Sequence, residues 1–108
     1  MDDTRIATEL WVSAYLRRSD IEGDGAVLLR RGDTSRGTVL LKLVRPDGWR
    51  VLSQARDGRG ELGWLVACTG TEAEADAHMA RAISRDPDSW AIEIIDRQSR
   101  HPLEGKTI

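Results

Sequence analysis

The sequence of 108 residues has few of the residues that form a metal site, a disulfide or a covalent intermediate. Its single cysteine, Cys68, excludes an internal disulfide and argues against a thiolate zinc site. The two histidines, His78 and His101, lie 23 positions apart and in no metal-binding motif. We therefore predict no metal centre and no cofactor.

Long apolar runs and an excess of one charge are also absent. The longest apolar runs, such as residues 64–68, are far too short to cross a bilayer. The first residues are acidic where a secretory signal would be basic. The formal net charge of -2 gives no basic excess for a polyanion. These absences predict a cytoplasmic protein that does not bind a membrane, and the lack of a basic excess disfavours nucleic-acid binding.

The composition itself is that of a globular protein, with 40% hydrophobic and 31% charged residues. A chain of this length buries about two thirds of its surface, which is enough for one core. We predict a single domain over residues 1–108, with its core over residues 5–97 and a polar tail over residues 98–108.

Residues 4–20 fit two patterns. A stripe at helical spacing is formed by Ile6, Leu10, Ala14 and Arg17, with Trp11 and Tyr15 on an adjoining stripe. The strand pattern is the alternation of Leu10, Val12, Ala14 and Leu16. The length of the segment favours a helix, and the strand stays open as the alternative.

Residues 71–85 predict a second helix. Thr71 and Glu74 have the spacing of a capping box, and Pro87 follows as a stop signal. Small and apolar residues such as Ala75 and Met79 form the stripe that would pack on a sheet.

Short segments rich in valine and leucine, separated by turn signals, predict the strands. The Pro46-Asp47-Gly48 turn is the clearest hairpin signal. In the fourth segment, strict alternation would place Trp64 and Cys68 on the same face. The segments are residues 26–31, 38–45, 49–54, 61–68 and 90–96. The predicted fold class is α+β: an antiparallel sheet of four to five strands with two helices on one face, in the order α-β-β-β-β-α-β, its first four strands forming a meander.

Arginine dominates the positive charges, since 14 of the 16 cations are arginine. If the end of the first helix lies beside the first strand, the pairs Arg17-Arg18 and Arg30-Arg31 could together bind a small anion. The alternative is that Arg17 and Arg18 offset the helix dipole and that Arg30 and Arg31 diverge, because neighbouring strand residues face opposite sides.

Aromatic side chains suggest a second candidate surface. Phenylalanine is absent, and Trp49 and Tyr15 lie near arginines, a composition found at protein interfaces. The alternative for Trp49 is a partly buried residue at the sheet edge. No serine or cysteine is paired with a base by sequence, so we predict no catalytic residue.

The order of several short motifs resembles a family of small bacterial proteins, the domain-of-unknown-function family 1491 (DUF1491). The resemblance covers roughly residues 9–101. The motifs that carry it in the first half are Glu9-Leu10-Trp11-Val12, Ala14-Tyr15-Leu16-Arg17-Arg18, Arg30-Arg31-Gly32-Asp33, and Lys42 with Arg45 and Asp47-Gly48. Those in the second half are Glu72-Ala73-Glu74-Ala75-Asp76-Ala77, Asp86-Pro87-Asp88, Trp90, Glu93, Asp96-Arg97 and Arg100-His101. Ser19 stands where that family often has cysteine, which argues against a thiol-based role. The resemblance implies a bacterial, cytoplasmic, single-domain protein and assigns no activity and no site residue.

Three hypotheses about function follow. The preferred one is a non-enzymatic interaction module that forms a homodimer or binds another protein, through the sheet face or edge with its arginine and tryptophan residues. The alternative is that the protein binds a small anionic ligand, or has a minor enzymatic activity, through Arg17, Arg18, Arg30 and Arg31. Nucleic-acid binding ranks third because the net charge is negative.

Overall fold

The computed structural model describes residues 8–22, 26–34, 37–56, 58–95 and 106–107, and these contain two helices and six strands. The predicted order α-β-β-β-β-α-β is confirmed, and a two-residue strand follows within the predicted tail. The elements are α1 (Thr8–Glu22), β1 (Val27–Arg30), β2 (Val39–Arg45), β3 (Gly48–Arg56), β4 (Leu62–Gly70), α2 (Glu72–Arg85), β5 (Trp90–Ile95) and β6 (Lys106–Thr107).

The first segment is a helix, not a strand. Val12 and Tyr15 lie three positions apart and are both buried, with Leu16 packed beside them. The predicted stripe was wrong in part, because Leu10 and Ala14 are exposed to solvent, whereas Tyr15 of the adjoining predicted stripe is buried. The larger side chains Val12 and Tyr15, rather than the stripe through Leu10, face the sheet.

α2 begins and ends as predicted. The Thr71 hydroxyl accepts a hydrogen bond from the Glu74 amide, and the Glu74 carboxylate accepts one from the Thr71 amide at 2.9 Å. Hydrogen bonds from the Thr71 backbone and hydroxyl lower the pKa of Glu74. The helix ends at Arg85, just before Pro87.

The strands form one mixed sheet in the order β1-β5-β2-β3-β4-β6. The antiparallel prediction holds for β2 with β3, β3 with β4 and β1 with β5, whereas β5 with β2 and β6 with β4 are parallel. The predicted four-stranded meander was wrong, because β5 lies between β1 and β2. α2 returns the chain across the sheet, so that β5 runs in the same direction as β4 and β2.

The two helices cover opposite faces of the sheet, which corrects the prediction that they share one face. α1 packs with Leu41 and the other odd-numbered residues of β2, and we call this side the α1 face. α2 packs with Leu40 on the opposite side, the α2 face. β2 reads as a nearly continuous apolar run because it is buried on both faces.

A register shift in β4 changes the side on which its later residues lie. Leu52 pairs with Val66, whereas Val51 pairs with Cys68, so Ala67 is an extra residue in the strand. Trp64 therefore belongs to the core on the α1 face and Cys68 packs on the α2 face. The prediction that Trp64 and Cys68 share a face was wrong for this reason.

The connection from β1 to β2 packs tightly against the start of β5. The Trp90 indole Nε1 donates a hydrogen bond to the Asp33 carbonyl at 2.7 Å, and the Asp33 amide donates one to the Asp88 carbonyl at 3.0 Å. A Cβ atom at Gly32 would collide with that Asp88 carbonyl oxygen. The position therefore requires glycine because two backbone segments approach closely there.

Candidate interaction edge

Arg30 and Arg31, which end β1, contact different parts of the protein. Arg30 Nη2 donates a hydrogen bond to the Pro87 carbonyl at 2.9 Å. Arg31 forms an ion pair with Glu9, and its guanidinium lies over the Trp90 ring, 5.3 Å from the ring centroid. The two guanidinium groups therefore diverge, as the alternative interpretation of this pair predicted.

The other arginine pair lies towards the opposite end of α1. Arg31 reaches Glu9 in the first turn, and Arg17 follows Glu9 by eight residues, about 12 Å along the helix axis. Arg17 is exposed, and the side chain of Arg18 lies outside the described part of the chain. The described contacts do not bring Arg17 and Arg31 together, and an anion site at the four arginines stays a prediction.

The two aromatic candidates contribute to the cores. Tyr15 is buried between α1 and the sheet. Trp49 is partly buried beside the core on the α2 face, where its indole Nε1 has no hydrogen-bond partner among the described residues. This matches the alternative interpretation of Trp49 as a partly buried residue. A direct interaction role for Tyr15 or Trp49 stays a prediction.

β1 has an exposed apolar edge that the sequence did not single out. Val27, Leu28 and Leu29 are 53%, 37% and 49% exposed. β1 is the end strand of the sheet, so no strand within the described residues pairs with its outer edge. Its pairing with β5 shifts register between Leu28 and Arg30, so Leu29 is an extra residue in the strand. Such a bulge changes the direction in which the extra side chain points.

The apolar run at residues 27–29 was visible in the sequence, but such a run is more often a buried strand. Its exposure follows from the position of β1 in the sheet. That position is set by the insertion of β5 between β1 and β2.

A buried lysine on the α2 face is the second feature: its residues occur in the family motifs, but the sequence did not indicate that they meet. Lys42 of β2 is only 5% exposed, and its Nζ lies 2.7 Å from Asp76, 3.0 Å from Glu72 and 3.4 Å from Glu93. Burial lowers the pKa of Lys42, but hydrogen bonds to Asp76 and Glu72 outweigh this and raise it above its usual range.

This Lys42 cluster connects α2 to the centre of the sheet, since Asp76 and Glu72 belong to α2 and Glu93 to β5. One cation of the sheet is thus paired with two carboxylates of the helix, and we refer to the cluster as a structural clamp. The signal in the sequence was one charged residue inside the apolar run of β2, together with two acidic residues four positions apart on a helix.

Two further observations bear on the kind of site. Within the described ranges, no group of three histidine, cysteine, aspartate or glutamate side chains is arranged to hold a metal ion. Neither α1 nor α2 is long and apolar enough to cross a membrane.

Comparison with known proteins agrees with the resemblance seen in the motifs. The model of the family described as "Protein of unknown function (DUF1491)" matches residues 6–104. A crystal structure of a DUF1491 family protein from Caulobacter crescentus CB15 is 38% identical, with a TM-score of 0.86 over 96% of this chain and 100% of that one. An NMR structure of a DUF1491 family protein from Caulobacter crescentus CB15 is also 38% identical, with a TM-score of 0.84 over 98% of this chain and 99% of that one.

A more distant likeness concerns the fold alone. The solution structure of protein Atu0922 from A. tumefaciens is 24% identical, with a TM-score of 0.71 over 85% of this chain and 86% of that one. The search of curated proteins finds no match. On the family match and the two Caulobacter structures, this chain belongs to the DUF1491 family of proteins of unknown function.

Proposed function

We propose that the protein is a non-enzymatic interaction module that binds a protein partner along the outer edge of β1, in the cytoplasm of a bacterial cell. The observation that carries this proposal is the exposure of three consecutive apolar side chains, Val27, Leu28 and Leu29, on the end strand of the sheet.

An edge strand offers two kinds of binding group. Its outward amide and carbonyl groups can pair with an added strand, and its side chains provide apolar contact. Monomeric proteins commonly protect such edges with lysine or proline. The outer strand β1 has neither residue. It is short, shifts register before Arg30 and ends on that arginine, and its other three side chains are Val27, Leu28 and Leu29.

The available energy suits reversible binding. Full burial of a valine or leucine side chain contributes about 1.5–3 kcal/mol, and these three side chains are already about half buried. The remaining apolar contact therefore contributes roughly 2–4 kcal/mol, to which the new backbone hydrogen bonds add. Part of this offsets the entropy lost on association, so a transient complex is expected.

Photo-crosslinking in cells tests the proposal. A photoreactive amino acid in place of Leu28 should capture a partner, identified by mass spectrometry. The same amino acid in place of Ala80, an exposed residue of α2, should not. Leu29→Lys, which places a charge on the edge at a half-exposed position, should abolish the capture while circular dichroism remains unchanged.

Two outcomes would contradict this function. Equal capture from positions 28 and 80 would show that β1 has no special role. Capture at position 28 that persists in Leu29→Lys would show that the partner does not use the strand edge.

A further inference from the structure

We propose that the part of the α2 face that α2 leaves uncovered binds a basic segment of a partner protein, and that this segment also carries apolar side chains. The surface lies on the face of the sheet beside α2, and it is distinct from the outer edge of β1. The inference therefore goes beyond the proposed function and does not depend on it.

α2 covers only part of its face of the sheet. Its core includes Leu40 of β2, Val51 of β3 and Ala91 of β5. Ile95 lies four positions after Ala91 and therefore on the same face of β5, but it lies outside that core and is 44% exposed. The face is thus open towards the end of β5.

The open part of the face is a small apolar patch around one carboxylate. Glu93 pairs with Val27 of β1, and Ile95 pairs with Val44 of β2. Paired residues of neighbouring strands lie on the same face, as do residues two positions apart in one strand, so these four side chains adjoin. Val27 is half exposed and Val44 is partly buried. We call Val27, Val44, Glu93 and Ile95 the open sector.

The Lys42 cluster gives the open sector a negative border. Glu93 belongs to both, and Glu72 and Asp76 of α2 lie on the other side of Lys42. The three carboxylates share the single ammonium of Lys42, which leaves a formal charge of -2. The side chains of Glu72 and Asp76 are more than half exposed, so this charge faces solvent, whereas Lys42 is buried.

The arginine of the neighbouring strand does not reach this charge. Arg30 pairs with Ala91, but its guanidinium donates to the Pro87 carbonyl just before β5 begins. Ile95 and the open sector lie at the other end of β5. Among the described ion pairs, Lys42 is the cation that the three carboxylates contact. Their excess negative charge is therefore available to a cation from outside the chain.

This combination suits a lysine or arginine side chain of a protein. Such a side chain has an apolar stem, which can pack on Ile95 and Val27, and a cationic head, which can reach the carboxylates. A metal ion would use the carboxylates alone, and no group within the described ranges is arranged to hold one. The charge would repel a nucleic acid or an anionic membrane. The occupant is therefore a basic segment with neighbouring apolar residues.

Three labelled synthetic peptides of equal length test this choice by fluorescence anisotropy. They consist of lysine and leucine, of glutamate and leucine, and of lysine and serine. The lysine–leucine peptide should bind, and the glutamate–leucine peptide should not. The lysine–serine peptide should bind at least about threefold more weakly, because serine provides no apolar contact for Ile95. Binding of the lysine–leucine peptide should weaken between about 50 mM and about 300 mM salt as screening increases.

Two substitutions test the location of the binding surface. Glu93→Gln removes one charge but keeps an oxygen that accepts a hydrogen bond from Lys42, and Ile95→Ser removes an apolar group from an exposed position. Each should weaken binding of the lysine–leucine peptide about three- to fivefold. The matched controls are Glu61→Gln, at an exposed position before β4, and Leu65→Ser, at a position that is 46% exposed. Each control should change the affinity less than about twofold.

Three results would overturn the inference. The first is no binding of the lysine–leucine peptide by the wild type at up to about 1 mM. The second is equal binding of the lysine–leucine and glutamate–leucine peptides. The third is a loss in Glu93→Gln and Ile95→Ser, both folded by circular dichroism, that is no larger than in the two controls. Leu28→Ser should leave binding of the peptide unchanged, because Leu28 pairs with Ile92 and lies on the α1 face. Failure of this inference would therefore leave the proposed function of the β1 edge untouched.

Discussion

Replacement of Lys42 by methionine is expected to destabilise the fold strongly. Methionine keeps most of the aliphatic side chain in place but removes the ammonium group. Three carboxylates would then face one another without a cation, since Glu72, Asp76 and Glu93 all lie within 3.4 Å of the Lys42 Nζ. The perturbation is therefore electrostatic rather than a loss of packing volume.

The loss in the free energy of unfolding depends on how well the three carboxylates can be rehydrated. Removal of one partner from a buried ion pair costs about 3–5 kcal/mol. Glu72 and Asp76 are more than half exposed and can be rehydrated, whereas the Glu93 side chain is only 28% exposed. We expect a loss of about 2–3 kcal/mol in the free energy of unfolding, or roughly 10–15 °C in melting temperature for a domain of this size.

Urea denaturation followed by circular dichroism measures this loss. The matched control is Arg81→Met, which removes one cation from an exposed position of α2 and should change the free energy of unfolding by less than about 0.5 kcal/mol. If Lys42→Met cost less than about 1 kcal/mol with an unchanged denaturant slope, the structural clamp assigned to the Lys42 cluster would be refuted.

Three other predictions concern pH and backbone. Burial lowers the pKa of Lys42, but its carboxylate partners raise it more. The protonated Lys42 therefore stabilises the fold fully below the unfolded-state pKa of about 10.4, and this contribution is lost as the pH rises towards the higher folded-state pKa. In melting experiments between about pH 8 and about pH 11.5, the stability advantage of the wild type over Lys42→Met should shrink only above about pH 10.5. An advantage that stayed constant over this range would contradict the raised pKa. Gly32→Ala should cost about 2–3 kcal/mol, because its Cβ would meet the Asp88 carbonyl, whereas Gly58→Ala, which has open space, should be neutral or slightly stabilising in the same assay. Thr71→Ala should cost about 1 kcal/mol through the loss of the α2 cap; Thr71→Ser keeps the hydroxyl, and an equal loss in both variants would show that the cap contributes nothing.

Local signals predicted the elements well because each depends on neighbouring residues. The capping box of Thr71 and Glu74 is closed by residues three positions apart, and the turn before Gly48 depends on one positive φ angle of +136°. The first helix was harder, because residues 10–16 also alternate as in a strand. Only the burial of Val12 and Tyr15 against the sheet shows which side of that helix faces the core.

The predictions that failed involve contacts between distant segments. The face on which Cys68 lies depends on one extra residue in β4, and a single insertion reverses every later side chain of a strand. The proximity of Lys42 to Asp76 joins residues 34 positions apart, and no local pattern measures that distance. The divergence of Arg30 and Arg31 was predictable, since strand residues alternate, but their partners Pro87 and Glu9 were not.

The sequence by itself determined the α+β class, the order of the helices and strands and the membership suggested by its motifs, because these follow from residue spacing along the chain. Only the tertiary structure decided which strand lies at the edge. Insertion of β5 between β1 and β2 leaves β1 outermost, so an apolar segment that reads as core is exposed to solvent. The physical reason is that strand order is set by pairing across the sheet. β2 lies between β5 and β3 and is largely buried, and no local pattern in the sequence records which strands become neighbours.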